Sequence, residues 1–133
     1  MFFSSIGEKD MIGYVTFGVS DLARAAKFYD AIAAEMGTPR MMEFDTFIAW
    51  GTPNGPAGIA ATLPFDGQPA TVGNGMMVAL QANDKDQVHR LYDIALTHGG
   101  TDEGPPGPRG DSGFYAAYFR DPDGNKLNAF IMG

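Results

Sequence analysis

The sequence predicts an α+β fold built from two βαβββ modules, and three observations carry that prediction. A stretch of alternating residues followed by an amphipathic helix occurs twice, at a constant offset of 63 residues. Turn formers separate the two copies and leave strand-length apolar pieces after each helix. A hairpin signature, FRDPDGNKLNAF at 119–130, stands near the end of the second copy.

The first copy begins with GYVTFGVS at 13–20, where Val15, Phe17 and Val19 share one face and Tyr14, Thr16 and Gly18 the other. Ser20 or Asp21 is placed to cap a helix whose apolar stripe is Leu22, Ala25, Ala26, Tyr29, Ile32, Ala33 and Met36. Gly37 suits the left-handed residue that ends such a helix, and Pro39 blocks its continuation. Short strands are expected at 40–44, 47–51 and 57–63, parted by Asp45-Thr46 and by the TPNGP turn. The linker is DGQPATVGNG at 66–75.

In the second copy Val78, Leu80 and Ala82 alternate along a strand, and Asp84 with Gln87 forms the pattern of a capping box. Val88, Leu91, Tyr92, Ala95 and Leu96 make the helix stripe, which Gly99-Gly100 stops. The repeat is supported by identities at Val15/Val78, Asp21/Asp84, Tyr29/Tyr92, Asp30/Asp93 and Gly37/Gly100. After the helix come a poorly defined piece near 101–103, a Gly/Pro loop GPPGPRGDSG at 104–113, and strands at 114–120 and 126–131. Pro122 presets the first turning residue of the last hairpin, and Gly124 takes the left-handed place of a three-residue loop. Beyond it Leu127, Ala129 and Ile131 form an apolar face, and Lys126, Asn128 and Phe130 point the other way. The 133 residues thus read as one domain, with modules at about 12–65 and 76–132, linker 66–75, and an N-terminal tail at 1–10.

Composition narrows the function. A net charge of −7, with scattered basic residues, argues against nucleic acid and anionic membranes as partners. No apolar run approaches the roughly 20 residues of a membrane span. With no cysteine, disulfides, thiolate zinc sites and thiol catalysis are all excluded, which fits a cytoplasmic protein. The tail has neither a basic start nor a signal-type hydrophobic run, so no export signal is expected. The expected partners are a small molecule and a second copy of the chain.

Two βαβββ modules, VSDLARAAKFYDAI after the first strand, GNGMMVALQA before the second helix and FYAAYFRDPDGNKL near the end resemble the vicinal oxygen chelate superfamily, the glyoxalase / bleomycin resistance protein / extradiol dioxygenase fold. The resemblance covers residues 12–132. It implies that the two sheets form a curved, incomplete barrel with the helices outside and the ligand on the concave face, and that the chain forms a homodimer. It also implies, for the metalloenzymes of that family, a His at the start of the first strand of each module and a Glu on the last strand. This chain has Tyr14, Met77 (or the neighbouring Met76) and Asn128 at those positions, and the last strand of its first module offers only Thr62 as a polar side chain.

A phenol, a thioether and a neutral amide make a poor set for a hard divalent cation, which prefers imidazole and carboxylate. No metal site and no cofactor are therefore expected, and the reading is a glyoxalase-like protein that binds a small molecule. The alternative is a metal-dependent lyase, isomerase or dioxygenase of the lactoylglutathione lyase kind. It needs a divalent metal held by non-standard ligands such as Glu43, Asp66 or Asp111, or by ligands from a partner chain. A third reading is acid–base catalysis by Tyr14 or Lys126 without a metal.

The candidate ligand-binding residues follow from the strand faces. Tyr14, Thr16, Met77, Gln81, Lys126 and Asn128 lie opposite the helix-packing stripes, with Ala79 and Phe130 beside them. Trp50, Tyr115 and Tyr118 join them if strand register turns them inward. Arg109, with Asp111 in the Gly/Pro loop, is placed to close over a polar ligand group. His89 and His98 both fall on the second helix and are read as structural.

Overall fold

A computed structural model describes residues 11–133; the expected N-terminal tail at 1–10 lies outside the described residues. The elements run β1 (Tyr14–Gly18), α1 (Leu22–Glu35), β2 (Arg40–Phe44), β3 (Phe47–Trp50), β4 (Gly58–Thr62), β5 (Val78–Gln81), α2 (Lys85–Thr97), β6 (Thr101–Pro108), β7 (Phe114–Arg120) and β8 (Lys126–Met132). This is βαβββ twice. The strands form two four-stranded sheets in the orders β1-β4-β3-β2 and β5-β8-β7-β6, so each first strand lies parallel beside the last strand of its own module. Among the described residues no ladder joins the two sheets, and the barrel stays open.

The two helices start as their caps dictate. Asp21 accepts from the Arg24 backbone N–H at 3.0 Å, and Asp84 from that of Gln87 at 2.8 Å. Gln87 reaches back, but its Oε1 accepts from Asn83 N–H, one residue before the cap. The capping box is thus widened by one residue. The Gln87 amide also donates to the Glu35 carbonyl across the module boundary.

The second helix ends one residue sooner than the repeat implies. Gly37 takes the left-handed conformation after α1, at φ 69°, and in the second module Gly99, not Gly100, does so, at φ 95°. Gly100 is required for a different reason. A Cβ there would stand 2.6 Å from the Arg120 carbonyl oxygen and 2.7 Å from that of Ala95.

The poorly defined piece at 101–103 proves to be the start of an eight-residue strand, β6, and the expected 104–113 loop shrinks to 109–113. Its prolines hid it. Proline breaks a central strand, but β6 is an edge strand with β7 as its single neighbour, and bulges between Asp102 and Gly104 and between Gly104 and Gly107 absorb the irregularity.

One hydrophobic cluster serves both modules. Phe17, Ile48, Trp50 and Ala61 from the first sheet and Leu80, Ala117, Phe119, Leu127 and Ala129 from the second join the inner faces of both helices. Helix α1 packs on β3, β4 and α2, and α2 packs on β6, β7 and β8. Phe28 bridges the modules, with its ring 4.9 Å from Tyr29 and 6.4 Å from Phe119. The last hairpin closes as its sequence predicts: Asp121 N–H donates to the Asn125 carbonyl around a three-residue loop, with Gly124 at φ 96°. That loop docks on the first module. Tyr29 donates to Asp121 at 2.6 Å, Ser20 to Asp123 at 2.7 Å, and the Asn125 amide to the Gly18 carbonyl at 2.9 Å.

Candidate functional site

Strand register decides which side chains look away from the helices. In the second sheet Asn128 lies opposite Tyr118 and beside Ala79, Phe130 lies between Ala116 and Gln81, and Lys126 faces Arg120. These residues alternate with Leu127, Ala129, Ala117 and Phe119, which face α2, so they form the sheet's open face. In the first sheet the same rule puts Tyr14 and Thr16 on the open face with Phe47, Ala49 and Ala60. Ala49 and Ala60 are buried although they face away from the helices. The Tyr14 and Phe47 rings meet edge-on, with centroids 5.9 Å apart.

Two candidates turn the other way. Trp50 is paired with Ile59, faces α1, and donates its indole N–H to Asp30 at 2.7 Å. The hydrogen bond from Arg40 is the main reason that the Asp30 carboxyl is held below its usual range. Tyr115 faces α2, where its hydroxyl meets His89 Nε2 at 2.7 Å and the Lys85 ammonium sits 5.1 Å from its ring. Register, which fixes the face of every strand residue, was the missing quantity; both side chains serve the helix interface and do not line the open face.

The remaining candidates fall into groups. Tyr14 and Thr16 are exposed on the first sheet, and Gln81 is exposed on β5. Met77, just before β5, lines a cleft of about 390 Å³ with residues 72–76, Arg120 and Lys126. The Lys126 ammonium and the Arg109 guanidinium each lie 5.5 Å from the centroid of the Tyr118 ring. Arg109 does not pair with Asp111; it donates to the carbonyls of Pro105 and Gly107 and so fastens the end of β6. Sequence reasoning missed Arg120. The signal was its place opposite Lys126 across the DPDGN turn.

Among the described residues, Asn128 is the one polar side chain buried on this face, at 1% exposure, and its Oδ1 has no hydrogen-bond partner there. A buried acceptor left empty costs about 1–3 kcal/mol, so the fold holds an oxygen ready for a donor. Neighbouring donors do not include a metal-type set. Among the described residues, no three His, Asp or Glu side chains gather as a group able to hold a metal ion. Glu43, the strand carboxylate nearest to such a role, is tied to Arg40 at 2.9 Å. The positions to which the resemblance assigns ligands hold a phenol on the first sheet (Tyr14) and a thioether and an amide at the second (Met77, Asn128), and donors of those types do not fit a divalent cation. Also among the described residues, no helix is long and apolar enough to cross a membrane.

Comparison with known proteins agrees with this architecture. Residues 11–129 match the family model described as the Glyoxalase/Bleomycin resistance protein/Dioxygenase superfamily. A solved glyoxalase/bleomycin resistance protein from Albidiferax ferrireducens is 36% identical, with a TM-score of 0.82 over 91% of this chain and 98% of that one. A glyoxalase-related enzyme from Fulvimarina pelagi shares the fold at 21% identity and a TM-score of 0.71, covering 91% of this chain and 87% of that one. A lactoylglutathione lyase from Agrobacterium tumefaciens does so at 19% identity and 0.66, covering 92% and 94%. No curated protein gives a significant match.

Proposed function

The chain belongs to the glyoxalase/bleomycin resistance protein/dioxygenase superfamily, and from that premise we propose that it binds a small molecule on the open strand face without a resident metal ion. The carrying observation is Asn128, buried with an unpartnered oxygen. Its position is the one where the family resemblance places a carboxylate ligand. An amide there removes the negative charge that a divalent cation needs, while keeping an acceptor for an N–H or O–H of a neutral or organic ligand. Tyr118 and Phe130 supply aromatic walls, as small-molecule sites commonly have. On this reading the protein sequesters or presents its ligand as a homodimer, and the absence of cysteine suits a cytoplasmic setting.

Metal titration tests it. Metal-free protein is titrated calorimetrically with Ni, Zn, Mn, Fe(II) and Mg, beside an Asn128→Glu variant. The expected result is no stoichiometric binding by the parent. Micromolar or tighter binding by the parent chain overturns the proposal and redirects work to glyoxalase and dioxygenase assays. The Asn128→Leu variant supplies the second arm: it should keep the fold and lose the thermal stabilisation given by any compound that raises the parent's melting temperature.

A further inference from the structure

We infer that the ligand of this face is an anion, carrying a carboxylate or phosphate that sits in the cleft between the linker and Lys126. This rests on the binding reading above and specifies its ligand class. Four arginines have carboxylate partners: Arg24 with Asp123, Arg40 with Asp30 and Glu43, Arg90 with Glu35, and Arg120 with Glu103. Lys126 has none among the described residues, and it stands directly opposite Arg120 in the β7–β8 register. Like charges facing each other across a strand pair are unfavourable. Glu103 offsets one of the two and leaves a positive spot inside a chain of net charge −7.

That spot is concave. Lys126 and Arg120 line the cleft of about 390 Å³ whose other wall is residues 72–77, the end of the linker and the approach to β5. A charge in such a recess attracts counter-ions more strongly than one on a convex surface. Near the Tyr118 ring, 5.5 Å from its centroid, Arg109 adds a second cation without a carboxylate partner among the described residues; its carbonyl partners satisfy its N–H groups without cancelling its charge. Asn128 lies two residues along β8 from Lys126 on the same face. The matching ligand therefore has an anionic group at Lys126, a flat or apolar body against Tyr118, and an N–H or O–H donor within reach of Asn128.

Three probes of one shape test this: benzoate, phenyl phosphate and benzamide, titrated into the isotope-labelled full chain while backbone amide shifts are followed. Because a hydrogen bond to a charged group outweighs a neutral one, at least one anion should bind about tenfold or more tighter than benzamide. Its shifts should centre on the amides of Gly73, Gly75, Met77 and Lys126, and added salt should weaken it. Which of the two anions binds more tightly separates a carboxylate site from a phosphate site. Lys126→Met should abolish the preference, Lys126→Arg should retain it, and Lys27→Met, an exposed helix position, should leave it unchanged.

Benzamide binding on the same amides as tightly as both anions overturns the anion inference and leaves the small-molecule reading standing. An undiminished preference in folded Lys126→Met also overturns it. No shift on the open face of the second sheet with any probe overturns both.

Discussion

The Tyr29 hydroxyl donates to Asp121 Oδ2 at 2.6 Å, and both side chains are buried. Asp121 also accepts from the Asn125 side chain and from the backbone N–H groups of Asp123 and Asn125, so its carboxylate is satisfied by donors on both modules. Burial first, and then the charge and hydrogen bond of Asp121, raise the Tyr29 phenol well above its ordinary value of 10.0. In the unfolded chain that phenol releases its proton near 10.0, while the folded chain retains it. Between those two values the fold binds one more proton, so stability falls as pH rises through the window. Tyr29→Phe should flatten that alkaline slope, with urea midpoints measured from neutral pH to beyond the phenol range; an unchanged slope overturns the assignment. At neutral pH the same change should cost about 1–3 kcal/mol, because a charged acceptor loses its donor. Tyr92 occupies the matching place in the repeat but donates to Asp102 at an exposed edge. The identity of the two tyrosines was legible in the sequence. Their different roles were not, because only Tyr29 meets a loop from the other module.

At the level of elements, the helices and most strands were legible because their signals are local: caps at Asp21 and Asp84, alternation along β1 and β5, and turn chemistry at 121–124. What escaped depends on distant pairing. β6 reads as a loop until its edge position is known, and Trp50 and Tyr115 cannot be assigned a face without register. The same division explains the helix ends. Gly37 and Gly100 align in the repeat, yet a Cβ on Gly37 meets open space at φ +69°, whereas one on Gly100 meets the backbone oxygens of Arg120 and Ala95. Gly37→Ala should therefore cost only the left-handed penalty, about 1–2 kcal/mol. Gly100→Ala must separate α2 from the β7 end and should cost about 3 kcal/mol or more. Denaturant midpoints of the two variants decide it, and a smaller loss at Gly100 than at Gly37 contradicts the packing argument.

Across the whole molecule, the single core and the open faces have opposite consequences. The core joins the modules through α1, α2 and Phe28, so the chain holds both sheets by their helix sides. Among the described residues no strand of one sheet packs extensively on a strand of the other, and the open faces keep large apolar groups in water: Phe44 is 64% exposed, Tyr14 45% and Met132 55%. Exposed apolar area on a sheet face marks a place where another surface is expected. A second copy of the chain, as proposed above, would supply that surface if the open faces of two chains cover each other. Each chain carries −7, so association works against charge repulsion and should strengthen with added salt, opposite to the trend expected for anion binding. Sedimentation velocity over a range of concentrations should give twice the chain mass. Phe44 lies at the end of β2 and outside the core cluster, so Phe44→Glu should leave the circular dichroism spectrum intact and shift the species to monomer. A parent chain that sediments as a monomer at every concentration and salt level removes the dimer from the reading. A dimer unaffected by Phe44→Glu moves the interface away from the first sheet's open face.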